Sequence, residues 1–280
     1  MPGIRVVADS ACDLPEEVVA RYRLTIVPLT VRFGAEEVDD LGPKDFWVRC
    51  RQSPVLPATA APSPGAFAEA FRRLADEGAE GIVCITLAAK LSATFQAAQA
   101  AVREVTGIPV EVIDSSSVSL GQGLLVLGAA RLAEEGKGGP EVAAWVRETS
   151  RRLKVYGVLD TLDNLKKGGR VGGAKALFGS MLAIKPVIEI RDGEVHEESK
   201  QRTRGRSLQY LAAKVTEAAN AGRISELGIM HGDASDIDKF IDLVAVAVSR
   251  DQMLVGLVGA VIGTHAGAGV IGVAWIEPPA

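Results

Sequence analysis

Gly81-Ile82-Val83-Cys84-Ile85-Thr86, then Leu91-Ser92-Ala93-Thr94-Phe95-Gln96, then Val110-Glu111-Val112-Ile113 is the stretch that decides the fold class. The first segment is a short continuous apolar run, the pattern of a strand covered on both faces. The second opens a run rich in alanine and free of proline and glycine, which reads as a helix over 92–105. The third is strand-like again. Strand, helix and strand in succession make a βαβ unit, whose right-handed crossover implies a parallel pair.

The alternation continues in both directions. Ile4–Ala8 reads as a strand, and Asp13-Leu14-Pro15 opens a helix with Asp13 as N-cap and Pro15 in the first turn. Leu24–Phe33 reads as a second strand and Pro43–Arg51 as a short helix. Ser63-Pro64 opens another helix, with Phe67, Ala70, Phe71 and Leu74 on one face. Two helices, Gly121–Glu135 and Pro140–Leu153, follow the third strand. After Tyr156–Leu159 the pattern changes. Ile184–Ile190 and Glu194–Glu198 flank Asp192-Gly193, a tight-hairpin signal. A helix at 204–219, a strand at 226–231, a helix at 235–249 and two last strands complete the chain. The expected architecture is two α/β domains. The first, 1–158, has a mostly parallel sheet with helices on both faces; the second, 159–280, has a mixed sheet with helices. With no linker-like segment, they should pack closely around a cleft.

Composition narrows the function classes. The 48% hydrophobic and 24% charged residues are those of a globular chain. With 31 basic against 35 acidic residues there is no basic stripe for a phosphate backbone, so nucleic acid is not an expected partner. Cys12, Cys50 and Cys84 are scattered and form no Cys-x-x-Cys pair, which fits a reducing cytoplasm. The start, Met1-Pro2-Gly3-Ile4-Arg5, has neither the basic nor the apolar region of a signal peptide, and no export is expected. Met253–Trp275 lacks Asp, Glu, Lys and Arg and is long enough to span a bilayer. Its six glycines and the central Thr264-His265 favour two buried strands joined by a polar loop.

Several motifs carry no chemistry in context. Gly267-Ala268-Gly269-Val270-Ile271-Gly272 matches the dinucleotide glycine pattern, but eight residues after it leave no room for the required helix and strand. Gly136-Lys137-Gly138-Gly139 is an inter-helix turn and not a phosphate loop. His196-Glu197-Glu198 is not a zinc helix. Asp9-Ser10-Ala11-Cys12-Asp13 follows the first strand, where paired carboxylates can hold Mg²⁺ for a phosphatase or phosphotransferase. A turn with a helix cap explains the same residues. Asp114-Ser115-Ser116-Ser117 is read as turn and cap in the same way.

Three other segments are candidate ligand sites. Ser92 lies near a helix N-terminus, where backbone N–H groups favour negative charge, although a plain N-cap fits it too. No Gly-x-Ser-x-Gly elbow surrounds it, so a nucleophilic role is not expected. Arg170 stands among glycines in Gly168-Gly169-Arg170-Val171-Gly172-Gly173, suited either to a carboxylate or phosphate or to a solvated turn. Gly263-Thr264-His265-Ala266-Gly267 is the polar island of the long apolar run.

In order along the chain, these segments resemble the DegV family of fatty-acid-binding proteins. The resemblance rests on Asp9-Ser10-Ala11-Cys12-Asp13-Leu14-Pro15, Thr59-Ala60-Ala61-Pro62-Ser63-Pro64 and Leu91-Ser92-Ala93-Thr94-Phe95-Gln96-Ala97-Ala98. It continues through Val112-Ile113-Asp114-Ser115, Gly121-Gln122-Gly123, Leu165-Lys166-Lys167-Gly168-Gly169-Arg170, Ile184-Lys185-Pro186 and Gly263-Thr264-His265-Ala266-Gly267. It implies a fatty acid in an apolar tunnel between two α/β domains, and no cofactor. By motif position it implies that Thr59, Ser92, Ala93, Thr264 and His265 surround the carboxylate. Arg170 and Arg202 are the implied basic residues near the head group. Ala60, Ala93 and Ala268 stand where the family commonly has a hydroxyl residue, a glycine and a proline. The resemblance further implies a carrier rather than an enzyme, serving a separate ATP-dependent fatty acid kinase subunit. Such a protein is expected to be a cytoplasmic monomer with transient membrane contact.

Overall fold

The computed structural model describes residues 3–39, 41–174 and 184–279, so Met1 and Pro2 of the start read above lie outside the described residues. The first half runs β1 (Ile4–Asp9), α1 (Glu16–Arg21), β2 (Thr25–Val27), β3 (Thr30–Phe33), β4 (Glu36–Val38), α2 (Pro43–Gln52) and β5 (Ala58–Ala60). It continues with α3 (Pro64–Asp76), β6 (Gly81–Thr86), α4 (Thr94–Val102), β7 (Val110–Asp114), α5 (Leu120–Glu134) and α6 (Gly139–Thr149). Strands β2-β1-β6-β7 form a sheet in that order, every pair parallel. Every residue of β6 is buried, as a strand covered on both faces requires. Phe67, Phe71 and Leu74 of α3 with Ala98 and Ala101 of α4 cover one face. Leu125 and Ala129 of α5 with Val142 and Val146 of α6 cover the other.

The sequence reading takes Leu24–Phe33 as one strand, and the structure divides it. β2 ends at Val27 in the parallel sheet, whereas β3 starts at Thr30 in a small antiparallel sheet of order β4-β3-β5. Pro28, between them, has no N–H to give a ladder. β4 and β5 escape the sequence reading because three residues are too few to show a period of two.

The second sheet is built from β8 (Leu153–Val158), β9 (Lys185–Arg191), β10 (Glu194–Gln201), β11 (Glu226–His231), β12 (Met253–Leu257) and β13 (Ile271–Ile276). Its helices are α7 (Asp163–Gly168), α8 (Arg204–Asn220), α9 (Ile237–Val244) and α10 (Ala260–Ala266). The order is β10-β9-β8-β13-β11-β12, and only β11 and β12 pair in parallel. Asp192 and Gly193 make the β9–β10 turn with positive φ at both, as the hairpin signal requires. By strand pairing β8 belongs to this sheet, although the sequence reading places residues up to 158 in the first domain.

Residues 260–266 correct one expectation: the last two strands are joined by a helix, not by a polar loop. The topology gives the reason. β12 and β13 are not neighbours, since β11 lies between them, so their connection has to cross a strand. Among the described residues no helix is long and apolar enough to cross a membrane. One apolar cluster joins helices of the first half to the second sheet. Leu120 and Leu124 of α5 and Phe46 and Trp47 of α2 cluster with Val155, Ile188, Met230 and Ala274 from the second sheet.

Candidate functional site

β5 and α10 bring together two side chains separated by 206 positions: Thr59 Oγ1 and His265 Nε2 are 2.9 Å apart. Thr59 is held in register by pairing with Val31 of β3. The His265 ring packs against Gly168 at the end of α7, where a Cβ would lie 2.2 Å from Nδ1. Only glycine allows that approach. Burial, and secondarily the positive charge of Arg170, push the His265 pKa down to about 4. The imidazole is therefore neutral at pH 7. A neutral imidazole brings no positive charge to an anionic group.

Arg170 carries the charge instead. Its Nη1 donates to the Gly168 carbonyl at 2.6 Å and its Nε to the Leu91 carbonyl at 3.1 Å. The guanidinium thus fastens the end of α7 to the segment ahead of α4. Ser92, next in that segment, lies just outside the helix, which starts at Thr94 with Ala93 before it. Its Oγ is 2.8 Å from Thr94 Oγ1 and accepts from Thr94 N–H at 3.3 Å. Thr59, His265, Gly168, Arg170, Leu91 and Ser92 are consequently linked contact by contact into one polar patch.

The patch forms part of the wall of an otherwise apolar cavity. Leu29, Leu87, Leu91 and Val118 line it from the first half of the chain, and Leu165, Ile188, Ile190, Val195, Val261, Ile262 and Ala266 from the second. The cavity has a volume of about 80 Å³ and is therefore narrow. Leu87 follows β6 and Val118 follows β7, at the carboxyl edge of the parallel sheet, where open α/β sheets bind ligands. Two hydroxyls, a neutral imidazole and one guanidinium in such a wall suit a long apolar molecule with one anionic end.

The remaining site expectations fall elsewhere. Thr264 is buried, but its Oγ1 donates to the Ala260 carbonyl at 2.7 Å and its carbonyl accepts from Asn164 Nδ2 at 2.9 Å. Its hydroxyl is engaged within α10 and does not line the cavity. Ala93 is exposed and lines an open groove outside, next to Lys90 and Arg170. Arg202 is exposed in the turn between β10 and α8, away from the cavity wall.

Asp9 and Asp13 are buried structural acceptors. Asp9 takes N–H bonds from Ala11 at 3.0 Å and Leu87 at 2.8 Å. Asp13 accepts from the Ser119 hydroxyl and, at 2.9 Å, from Gly259 N–H. Burial raises their pKa values to about 6 and about 7. Sequence reasoning missed most of the apolar wall. Leu87 and Val118 could have been found as residues just past predicted strands, whereas nothing local marks Leu29, Ile188, Ile190 or Val195.

Fold and site together define a two-domain α/β protein with a mostly apolar cavity lined by both halves of the chain. The family model for uncharacterised proteins of the DegV family matches residues 3–278, and the chain belongs to that family. A DegV domain-containing protein of Streptomyces coelicolor is 34% identical over 278 residues, covering 96% of this chain and 97% of its own. Among solved structures, a fatty-acid-binding DegV family protein of Thermus thermophilus superposes with a TM-score of 0.89 at 30% identity, covering 99% of this chain and 100% of that one. DegV of Bacillus subtilis, described as a fatty acid binding protein, gives 0.88 at 27% with the same coverage. A stearic acid-binding protein of Eubacterium ventriosum gives 0.86 at 26%, covering 98% of both chains.

Proposed function

We propose that this protein is a carrier that binds a long-chain fatty acid, with the tail in the junction cavity and the carboxylate against Ser92, Thr59 and Arg170. The supporting observation is the Thr59–His265 pair set into an otherwise apolar wall. Each methylene taken from water contributes about 0.8 kcal/mol, so the tail supplies affinity and the patch supplies orientation. The narrowness of the cavity means that the apolar wall spreads as the tail enters. The binding role reported for the Thermus, Bacillus and Eubacterium proteins supports the same reading.

In this reading the carrier is a cytoplasmic monomer that takes its ligand up by transient membrane contact. It presents the carboxylate to a separate ATP-using kinase subunit and holds the acyl phosphate formed. Organic extraction of purified protein followed by mass spectrometry is expected to release one long-chain fatty acid per chain. Ser92→Ala combined with His265→Ala is expected to abolish retention. Absence of lipid even after incubation with fatty acids overturns the proposal.

A further inference from the structure

We infer that Asp13 is a positioning residue of the ligand site, holding α10 against the cavity from the opposite domain. The inference rests on the fatty-acid reading for its consequence, but its geometry is independent of any ligand. Asp13 does not line the cavity, so whatever it does for binding passes through what it holds.

It holds the start of α10. Asp13 Oδ1 accepts the N–H of Gly259, the residue just before the helix, and its other oxygen accepts from Ser119 at the head of α5. One carboxylate thereby joins the turn after β1, α5 and α10. The fit is close on both sides. A Cβ on Gly259 would lie 3.0 Å from Asp13 Oδ1, and one on Gly256 would lie 2.8 Å from the Asp13 carbonyl oxygen. Asp13 itself has φ 49°, in the left-handed region that Asp tolerates better than most residues.

A second grip lies on the same helix. The Trp47 indole N–H donates to the Val258 carbonyl at 2.8 Å. Gly263, in the middle of α10, faces Phe46 and Trp47 so closely that a Cβ would lie 2.5 Å from the phenyl ring. A helix of the second domain is therefore seated in a socket of the first, between Asp13 and Trp47. From that helix Val261, Ile262, Ala266 and His265 reach the cavity wall. A shift of its N-terminal end moves His265 off Gly168 and away from Thr59.

The test reads the position of His265 in ligand-free protein, by NMR titration of the three histidines, alongside affinity for a fluorescent long-chain fatty acid. Asp13→Ala is expected to raise the His265 midpoint by about one pH unit or more, as the ring gains water, and to weaken affinity about tenfold. Asp13→Asn keeps an acceptor for Gly259 N–H and is expected to leave both readings near wild type. Gly259→Ala attacks the same contact from the other domain and is expected to shift His265 in the same direction, which decides the matter if Asp13→Ala fails to fold. Arg204→Ala breaks the ion pair with Asp236 and serves as a control, lowering stability without moving His265. An unmoved His265 in both Asp13→Ala and Gly259→Ala, or in the folded one alone, overturns the inference. Failure of the wild type to bind the fatty acid, with His265 shifting as described, overturns the ligand reading and not the positioning role.

Discussion

Three buried groups, two carboxyls and one imidazole, respond to pH in opposite directions. Asp9 and Asp13 are raised to about 6 and about 7 by burial, from an ordinary 3.8. The stability they contribute is fully present below 3.8 and lost as pH rises through 6 and 7. His265, lowered to about 4 from 6.5, contributes in the other sense, present above 6.5 and lost as pH falls through 4. Total stability between pH 5 and 8 mixes these trends, so a single substitution is the cleaner measure. Asparagine at 13 stays neutral throughout. Relative to wild type, Asp13→Asn is expected to become more favourable from pH 5 to pH 8 by about 2 kcal/mol. Urea unfolding at both pH values checks this, and a pH-independent difference contradicts it.

At the scale of elements, the site depends on how closely α7 and α10 approach. Gly168 ends α7 where His265 passes, and the next residue, Gly169, takes the left-handed conformation that closes the helix. Arg170 then turns back to the Gly168 carbonyl and reaches Leu91. Gly168→Ala is expected to push the imidazole out, since 2.2 Å to Nδ1 leaves no room for a methyl group. The expected cost is about 1–3 kcal/mol of stability, with loss of fatty-acid retention. Calorimetry and lipid extraction test both parts. A variant that melts and binds like wild type would show that α7 yields freely and that the close contact is unimportant.

Across the fold, helix α5 packs against both sheets. Leu120 is fully buried and its side chain nests against Gly228 of β11 and Gly256 of β12, while Leu125 and Ala129 face the parallel sheet. Leu120→Ala is expected to cost about 2–5 kcal/mol, the range for a buried leucine that leaves a cavity. The loss should appear as one shifted transition, with circular dichroism and tryptophan fluorescence coincident in urea. Two separated transitions would show that the domains fold independently.

The sequence alone was enough for the elements whose signals are local: the apolar run of β6, the alternation of strands and helices, the Asp192-Gly193 hairpin and the helix start at Ser63. Asp13, read as the cap of α1, lies instead ahead of a helix that begins at Glu16 after Pro15. It also marked Ser92, Arg170 and His265 as polar residues set among glycine, alanine and apolar neighbours, and the family resemblance added Thr59. Tertiary structure decided what those residues can do. Burial made His265 neutral, and a short helix rather than a loop aimed it at Thr59. Thr264 was drawn into the helix backbone, and Arg202 was left in solvent. The cavity wall came from residues spread from Leu29 to Ala266. Hydrogen-bond periodicity and turn geometry act over a few residues and can be read along the chain. Burial, desolvation and the meeting of two domains are properties of space, and they exist only once the chain has folded.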